Sequence, residues 1–81
     1  MNIDKDKVDE MTLALLWLVM WDKKDFSISR AWKGFDWDTM DRLHQKGFIG
    51  DPKCKTKSVF VTPEGRKKAE ELFEKYFTEK E

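Results

Sequence analysis

The chain has 81 residues, of which 40% are apolar and 40% are charged, and its 16 basic and 16 acidic side chains give a formal net charge of zero. This length predicts one domain over residues 1–81 with a modest core, and the balance of charge excludes a uniformly basic nucleic-acid-binding protein. The basic charge is instead local, because residues 52–68 carry 6 basic and 1 acidic side chains.

The location of the protein is predicted from what the sequence lacks. The apolar run 13–21 has nine residues, whereas a membrane span needs about 20. No basic stretch followed by an apolar segment and a small-residue cleavage site is present, so we expect no signal peptide. Cys54 is the only cysteine, which excludes a disulfide within the chain and fits a reducing compartment. We therefore expect a cytoplasmic protein without a membrane segment.

The first predicted helix runs over residues 7–21, with Asp6 as its N-cap. Its second half is apolar on every side, whereas a surface helix would have an apolar stripe. One face can meet the core, and we expect the other face to meet a second copy of the chain. The predicted homodimer interface combines this helix with the last one: Leu13, Leu16, Trp17, Met20, Phe73, Tyr76 and Phe77.

The segment between the first helix and Gly34 is predicted to contain two short elements. Residues 26–28 favour a very short strand, and Ser27 or Ser29 favours the start of a short helix that ends at Trp32. Gly34 then stops that helix.

A third helix is predicted from Trp37 to Lys46, with Asp36 as its N-cap and Gly47 as the left-handed residue at its end. Its apolar residues share one inward face, made of Trp37, Met40 and Leu43, with a half-buried His44 at the edge. Its polar residues are expected to face outward: Asp38, Asp41, Arg42 and Gln45.

The remaining residues predict a hairpin followed by a helix. Strand residues 48–49 and 58–61 flank a loop in which Lys53, Lys55 and Lys57 alternate with other residues. Thr62 is the predicted N-cap of the last helix, and Pro63 occupies its first position. The apolar residues of that helix recur with the spacing of an amphipathic stripe: Ala69, Leu72, Phe73, Tyr76 and Phe77.

This second half resembles the wing and following helix of small prokaryotic winged-helix regulators. The residues that carry the resemblance are Leu43, Lys46, Gly47, Ile49, Val61, Thr62 and Gly65. The resemblance implies an α+β, mostly helical winged helix-turn-helix with a two-stranded wing and a C-terminal helix, which binds DNA as a dimer. Nearly the whole chain also resembles a family of small uncharacterised prokaryotic proteins, which implies no particular activity.

We expect a dimeric DNA-binding transcriptional regulator that contacts double-stranded DNA. The predicted DNA-binding residues are Arg42, Gln45, Lys46, Lys53, Lys55, Lys57, Arg66 and Lys67, with Lys68 nearby. The alternative is a winged-helix module for protein–protein contact, favoured by the acidic third helix with Asp36, Asp38 and Asp41. The loop lysines would then only keep a solvated hairpin from aggregating. No nucleophile–base pair, metal cluster or phosphate loop is present, so we expect no enzyme, cofactor or metal.

Several residues have two interpretations. The four tryptophans favour packing in the core or in a dimer interface, with an effector pocket as the alternative. Arg30, Lys33 and Arg42 either extend the basic patch or, as the acidic residues favour, pair with Asp36, Asp38 and Asp41. Cys54 is interpreted as an inert thiol rather than a redox sensor, although Lys53 and Lys55 would lower its pKa if they lie close.

Overall fold

Three helices and a short antiparallel sheet make up the computed structural model, which describes residues 1–21 and 29–79. The elements in chain order are α1 (Lys5–Leu18), β1 (Met20–Trp21), β2 (Arg30–Trp32), α2 (Trp37–Gln45), β3 (Ser58–Phe60) and α3 (Pro63–Phe77). The helices have 14, 9 and 15 residues. The prediction of an α+β, mostly helical chain is therefore confirmed. None of the helices described is long and apolar enough to cross a membrane.

Helix α1 begins and ends earlier than its sequence pattern predicts. Asp4 is the N-cap, since its Oδ1 accepts the backbone N–H of Lys7 at 3.0 Å, so the prediction of Asp6 is wrong. The helix ends at Leu18, and the next residues, Met20 and Trp21, form β1. Their backbone groups pair with Ala31 and Arg30 instead of extending the helix, and this tertiary pairing overrides the local apolar pattern.

The short helix predicted to end at Trp32 is wrong, because residues 30–32 form the strand β2. Both sides of this strand are paired, with β1 on one side and β3 on the other, where Ala31 lies opposite Val59. A helix of a few residues makes too few hydrogen bonds to offset its nucleation cost, whereas β2 gains partners on two sides. The strand predicted at residues 26–28 lies outside the described residues.

The sheet has three strands in the order β1-β2-β3, so the prediction of a two-stranded wing is wrong. Ile49 adds a single bridge to Val61 on the far side of β3. Within residues 29–36 no helix precedes α2, and the predicted first helix of a helix-turn-helix pair is therefore not found there. The predicted hairpin between residues 49 and 61 is present as this bridge and the loop that it closes.

The ends of α2 and α3 follow the sequence closely. Asp36 caps α2 through a 3.1 Å hydrogen bond from the N–H of Thr39, and Gly47 after the helix has a φ of 82°. Thr62 caps α3, whose first residue is Pro63. All four predictions are confirmed, because a cap depends on neighbours within a few residues of the chain.

The core lies where α1 packs on α3, with α2 and the sheet closing the sides. Its buried apolar residues are Leu13, Ala14, Leu16, Met20, Ala31, Met40, Leu43, Ile49, Val59, Val61, Ala69 and Leu72. The predicted inward face of α2 is confirmed at Met40 and Leu43 but wrong at Trp37 and His44, which are exposed. The apolar surface of α1 is thus covered in large part by α3 of the same chain.

Candidate nucleic-acid interface

We define the lysine loop as residues 51–57. Backbone pairing between the segments that flank it closes the loop where it leaves the sheet. The N–H of Gly50 donates to the carbonyl of Phe60 at 2.8 Å, next to the bridge between Ile49 and Val61. Within the loop, the Asp51 carboxylate accepts the backbone N–H of Lys53 at 2.9 Å. The side chains of Lys53, Lys55 and Lys57 are exposed. A fixed base and a turn thus present these three ammonium groups to solvent.

Lys33 holds the loop from β2 through its backbone. Its Nζ donates to the carbonyl of Pro52 at 2.8 Å and also to the carbonyl of Cys54. The N–H of Lys33 donates to the carbonyl of Lys57 at 3.3 Å. The Lys33 side chain therefore holds the loop mainly through backbone carbonyls, which are present whatever side chains the loop carries.

Arg30 fixes the end of the loop that enters β3. Its Nε donates to the hydroxyl of Ser58 at 2.8 Å, and its Nη2 donates to the Ser58 carbonyl at 3.0 Å and the Thr56 hydroxyl at 3.2 Å. The expected pairing of Arg30 and Lys33 with the acidic residues of α2 is therefore wrong. The side-chain partners of both cations are uncharged groups of the loop and of Ser58 at the start of β3.

Cys54 lies on this loop as an exposed free thiol. A hydrogen bond with the Thr56 hydroxyl, at 3.3 Å from the sulfur, is the main cause that lowers the pKa of Cys54, and Lys33, with its Nζ 3.5 Å from the sulfur, lowers it further. The expected direction is correct, but Lys33 is the contributing cation rather than Lys53 or Lys55. A lowered pKa increases the thiolate fraction at neutral pH.

The basic residues of α2 are directed at α1. Arg42 Nε lies 2.9 and 3.1 Å from the two carboxylate oxygens of Asp9, and Arg42 Nη2 lies 2.8 Å from Oδ1. Lys46 Nζ contacts Asp9 Oδ2 at 2.8 Å and Asp6 at 3.3 Å. The Asp9 side chain is 2% exposed. Arg42 and Lys46, which were predicted to contact DNA, thus balance the negative charge of a buried carboxylate.

Two opposing effects act on the pKa of Asp9, namely burial and the contacts with these two cations. Burial in the core would raise it, but the hydrogen bonds from Arg42 and Lys46 outweigh burial and hold the pKa below its ordinary value. The same contacts raise the pKa of both Arg42 and Lys46. Asp9 precedes Leu13 and Leu16 by four and seven residues, so its place on the inward face of α1 could have been found from spacing.

The other predicted DNA-binding residues lie on helix surfaces. Gln45 at the end of α2 is exposed, and so is Lys67 on α3. Arg66 is half-buried and contacts Glu70 one helical turn later, with Nη1 3.4 Å from Oε2. The structure therefore exposes Lys53, Lys55 and Lys57 on one loop and places the basic residues of α2 and α3 on helices.

Three of the four tryptophans lie at the surface of the single chain, so they do not pack in its core, and packing in a dimer interface stays a prediction. Trp17 packs on Phe73, with ring centroids 4.8 Å apart, but Trp21, Trp32 and Trp37 are 41%, 51% and 61% exposed. Trp32 and Trp37 line one open depression, which is completed by Lys33, Gly34, Phe35 and Lys57. This depression adjoins the lysine loop, because Lys57 belongs to both.

The predicted dimer residues differ in accessibility. Leu13, Leu16 and Met20 lie in the core of the chain itself. Trp17, Phe73 and Tyr76 are partly buried against that core, and Phe77 is 44% exposed. Only the last four have surface to offer a second copy.

These features define a small α+β protein with a lysine-bearing loop on a three-stranded sheet. Residues 4–79 match the model of a family described as a domain of unknown function (DUF6429), and the chain belongs to that family. The chain is also similar to the uncharacterized protein y4hR of Sinorhizobium fredii (strain NBRC 101917 / NGR234). The two are 51% identical over 78 residues, which cover 96% of this chain and 99% of the relative. No solved structure matches the chain.

Proposed function

We propose that this chain is a nucleic-acid-binding protein that contacts phosphates through the lysine loop, as a winged helix does with its wing. The observation that carries the proposal is the free charge of Lys53, Lys55 and Lys57. No carboxylate of residues 1–21 or 29–79 lies within 4.0 Å of their ammonium groups. Lysines without such partners can replace the counterions of a phosphate backbone, which makes binding favourable at low salt.

The proposed role is that of a winged-helix-like regulator that binds double-stranded DNA as a homodimer. The arrangement of β2, β3 and Ile49 around the loop supports the comparison with a wing. Base reading by α2 receives less support, because Arg42 and Lys46 are bound to Asp9. We therefore propose that the affinity comes mainly from phosphate contacts, which carry little information about sequence.

The test replaces the three loop lysines together, as Lys53→Gln/Lys55→Gln/Lys57→Gln, and measures binding to labelled duplex and single-stranded oligonucleotides. The wild-type chain should bind at about 50 mM salt, and its affinity should fall steeply as salt increases. If all three lysines neutralise phosphates, the slope of log affinity against log salt should become less steep by about 3 in the triple variant.

The matched control removes three lysines elsewhere, as Lys5→Gln/Lys68→Gln/Lys75→Gln. All three are exposed, so the control changes the net charge equally and leaves the loop intact. It should bind more tightly than the loop variant. Equal losses in both variants would contradict the proposal, and so would the absence of binding by the wild-type chain at low salt.

A second candidate, a protein-interaction module, is supported by the acidic surface of α2. Asp36 and Asp38 are exposed and Asp41 is partly exposed, while Arg42 is directed at Asp9. A basic protein surface is the partner that this charge favours. Under this alternative, Asp38→Asn/Asp41→Asn should remove a partner found by crosslinking in the native cell, and the loop variant should retain it.

A further inference from the structure

We infer that Trp32 and Trp37 form a stacking surface for unpaired bases, so that the chain binds single-stranded nucleic acid more tightly than a duplex. This inference rests on the phosphate contacts of the proposed function, and it replaces double-stranded DNA with a single strand as the preferred ligand. Both side chains are more than half exposed, whereas tryptophan is buried to a large extent in most folded proteins. Exposed aromatic rings beside a basic groove are the arrangement by which proteins bind single strands without sequence preference.

The two rings are carried by the ends of regular elements. Trp32 is the last residue of β2, and Trp37 is the first residue of α2. The turn between them is tight, since the N–H of Phe35 donates to the carbonyl of Lys33 at 2.8 Å. Both backbones are therefore fixed before any ligand arrives, which lowers the conformational entropy lost on binding.

The charges that line the depression favour an anionic ligand. Among residues 1–21 and 29–79, Lys33 and Lys57 are the ionisable residues that line it with the two tryptophans, and no carboxylate of those residues does. Ser58 lies opposite Trp32 in the β2–β3 ladder and directly follows the last loop residue, Lys57. The aromatic surface therefore adjoins one end of the lysine loop. A ligand that crosses from one to the other needs flat apolar groups at one end and negative charges at the other.

A single-stranded nucleic acid has both properties in one chain. Its bases are free to leave the stack and lie on an aromatic ring, and its phosphates can reach lysines next to that ring. The bases of a duplex are already stacked and paired, so a duplex offers phosphates to the loop but no base face to the tryptophans. The aromatic surface should therefore separate the two ligands by affinity.

The experiment compares a labelled thymidine oligonucleotide of about 15 nucleotides with a duplex of the same length, a size within the range bound by single-strand-binding domains. The wild-type chain should bind the single strand more tightly and lose tryptophan fluorescence on binding. Trp32→Ala/Trp37→Ala should weaken single-strand binding by about tenfold or more and leave duplex binding unchanged.

Two controls accompany the double variant. Trp21→Ala removes another exposed tryptophan that does not line the depression, and it should keep single-strand binding. Trp32→Phe/Trp37→Phe keeps aromatic faces at both positions and should bind the single strand more tightly than the alanine pair. Circular dichroism and light scattering of every variant establish that fold and oligomeric state are unchanged.

The outcomes separate this inference from the proposed function. If the alanine pair binds the single strand as tightly as the wild type, or loses the duplex equally, the stacking surface is refuted while phosphate binding by the loop stands. If the wild-type chain binds neither oligonucleotide at low salt, both ideas fail. If the alanine pair turns a dimer into a monomer and loses binding only with it, the tryptophans belong to a contact between copies and the inference is overturned.

Discussion

At the scale of single residues, Asp9 is the least expected feature of the chain. An acidic residue near the start of a helix is ordinarily explained by a favourable interaction with the positive end of the helix dipole. In the structure its carboxylate is buried and receives Arg42 and Lys46 from another helix, at sequence separations of 33 and 37 residues. Pairings over such distances depend on how the helices pack, so the charge pattern of α2 alone could not predict them.

We predict that Asp9→Asn destabilises the protein. The substitution keeps the shape of the side chain but leaves Arg42 and Lys46 without their anion. Breaking a buried ion pair costs up to about 5 kcal/mol, and because both cations can still reach water we expect a loss of about 2 kcal/mol. Urea unfolding at neutral pH measures it. As a control, Asp6→Asn at an exposed site should change the free energy of unfolding by less than about 1 kcal/mol.

The ion pairs of Asp9 also make the free energy of unfolding depend on pH in the acid range. The folded-state pKa of Asp9 is lowered from the ordinary value of 3.8, so its contribution is present above that value. The contribution is lost as the pH falls through the lower folded-state pKa. Urea midpoints between neutral and acid pH should therefore fall more steeply below pH 3.8 for the wild type than for Asp9→Asn. Parallel curves would contradict the proposed role of Asp9.

At the scale of elements, the junction between the end of α2 and the start of α3 has very little free space. The Thr62 hydroxyl lies 2.8 Å from the Gly47 carbonyl oxygen and 3.1 Å from that of Phe48. The Phe48 carbonyl also accepts the N–H of Thr62 at 3.0 Å. A Cβ on Gly65 would lie 1.9 Å from the Phe48 oxygen. The chain therefore needs glycine here for close approach of two backbones.

We predict that Gly65→Ala lowers the free energy of unfolding by about 2–3 kcal/mol, as overpacking of a tight contact does. The loss should occur although alanine favours a helix by about 1 kcal/mol relative to glycine. Chemical unfolding measures the change. Gly34→Ala is the matched control, because no atom lies within 4 Å of a Cβ built there. Equal stability of the two variants would refute the close contact.

The sequence predicted the elements well where local chemistry determines them. The caps at Asp36 and Thr62 and the left-handed Gly47 are set by neighbouring residues, and these predictions are confirmed. The strand β2 was predicted as a helix because its stability comes from partners on both sides that are distant in sequence. The exposure of Trp32 and Trp37 also could not be predicted, because the apolar character of a residue does not indicate which side of its element faces water.

At the scale of the whole molecule, self-association remains a prediction. Fewer of the predicted interface residues reach the surface than the apolar pattern suggested. Leu13, Leu16 and Met20 serve the chain's own core. The row from Trp17 through Phe73 to Phe77 reaches the surface, with ring centroids 4.8 and 5.6 Å apart. An exposed aromatic residue that continues a buried cluster is a common anchor for an interface.

We predict a homodimer that Phe77→Asp converts to a monomer, because a carboxylate in an apolar contact would lose its hydration without a partner. Light scattering at high micromolar concentration measures the mass of both proteins. Glu71→Gln changes an exposed residue of the same helix and should leave the mass unchanged. A monomeric wild-type chain at this concentration would refute the homodimer.

The hydrogen bonds from Lys33 to backbone oxygens affect how the sequence of the lysine loop can vary. Because Lys33 holds the carbonyls of Pro52 and Cys54, positions 53, 55 and 57 can exchange their side chains without removing that support. Natural relatives or a randomised library could therefore alter what the loop recognises while the rest of the molecule stays the same. Replacing Lys33 itself would be expected to disturb every such variant, whatever its loop sequence.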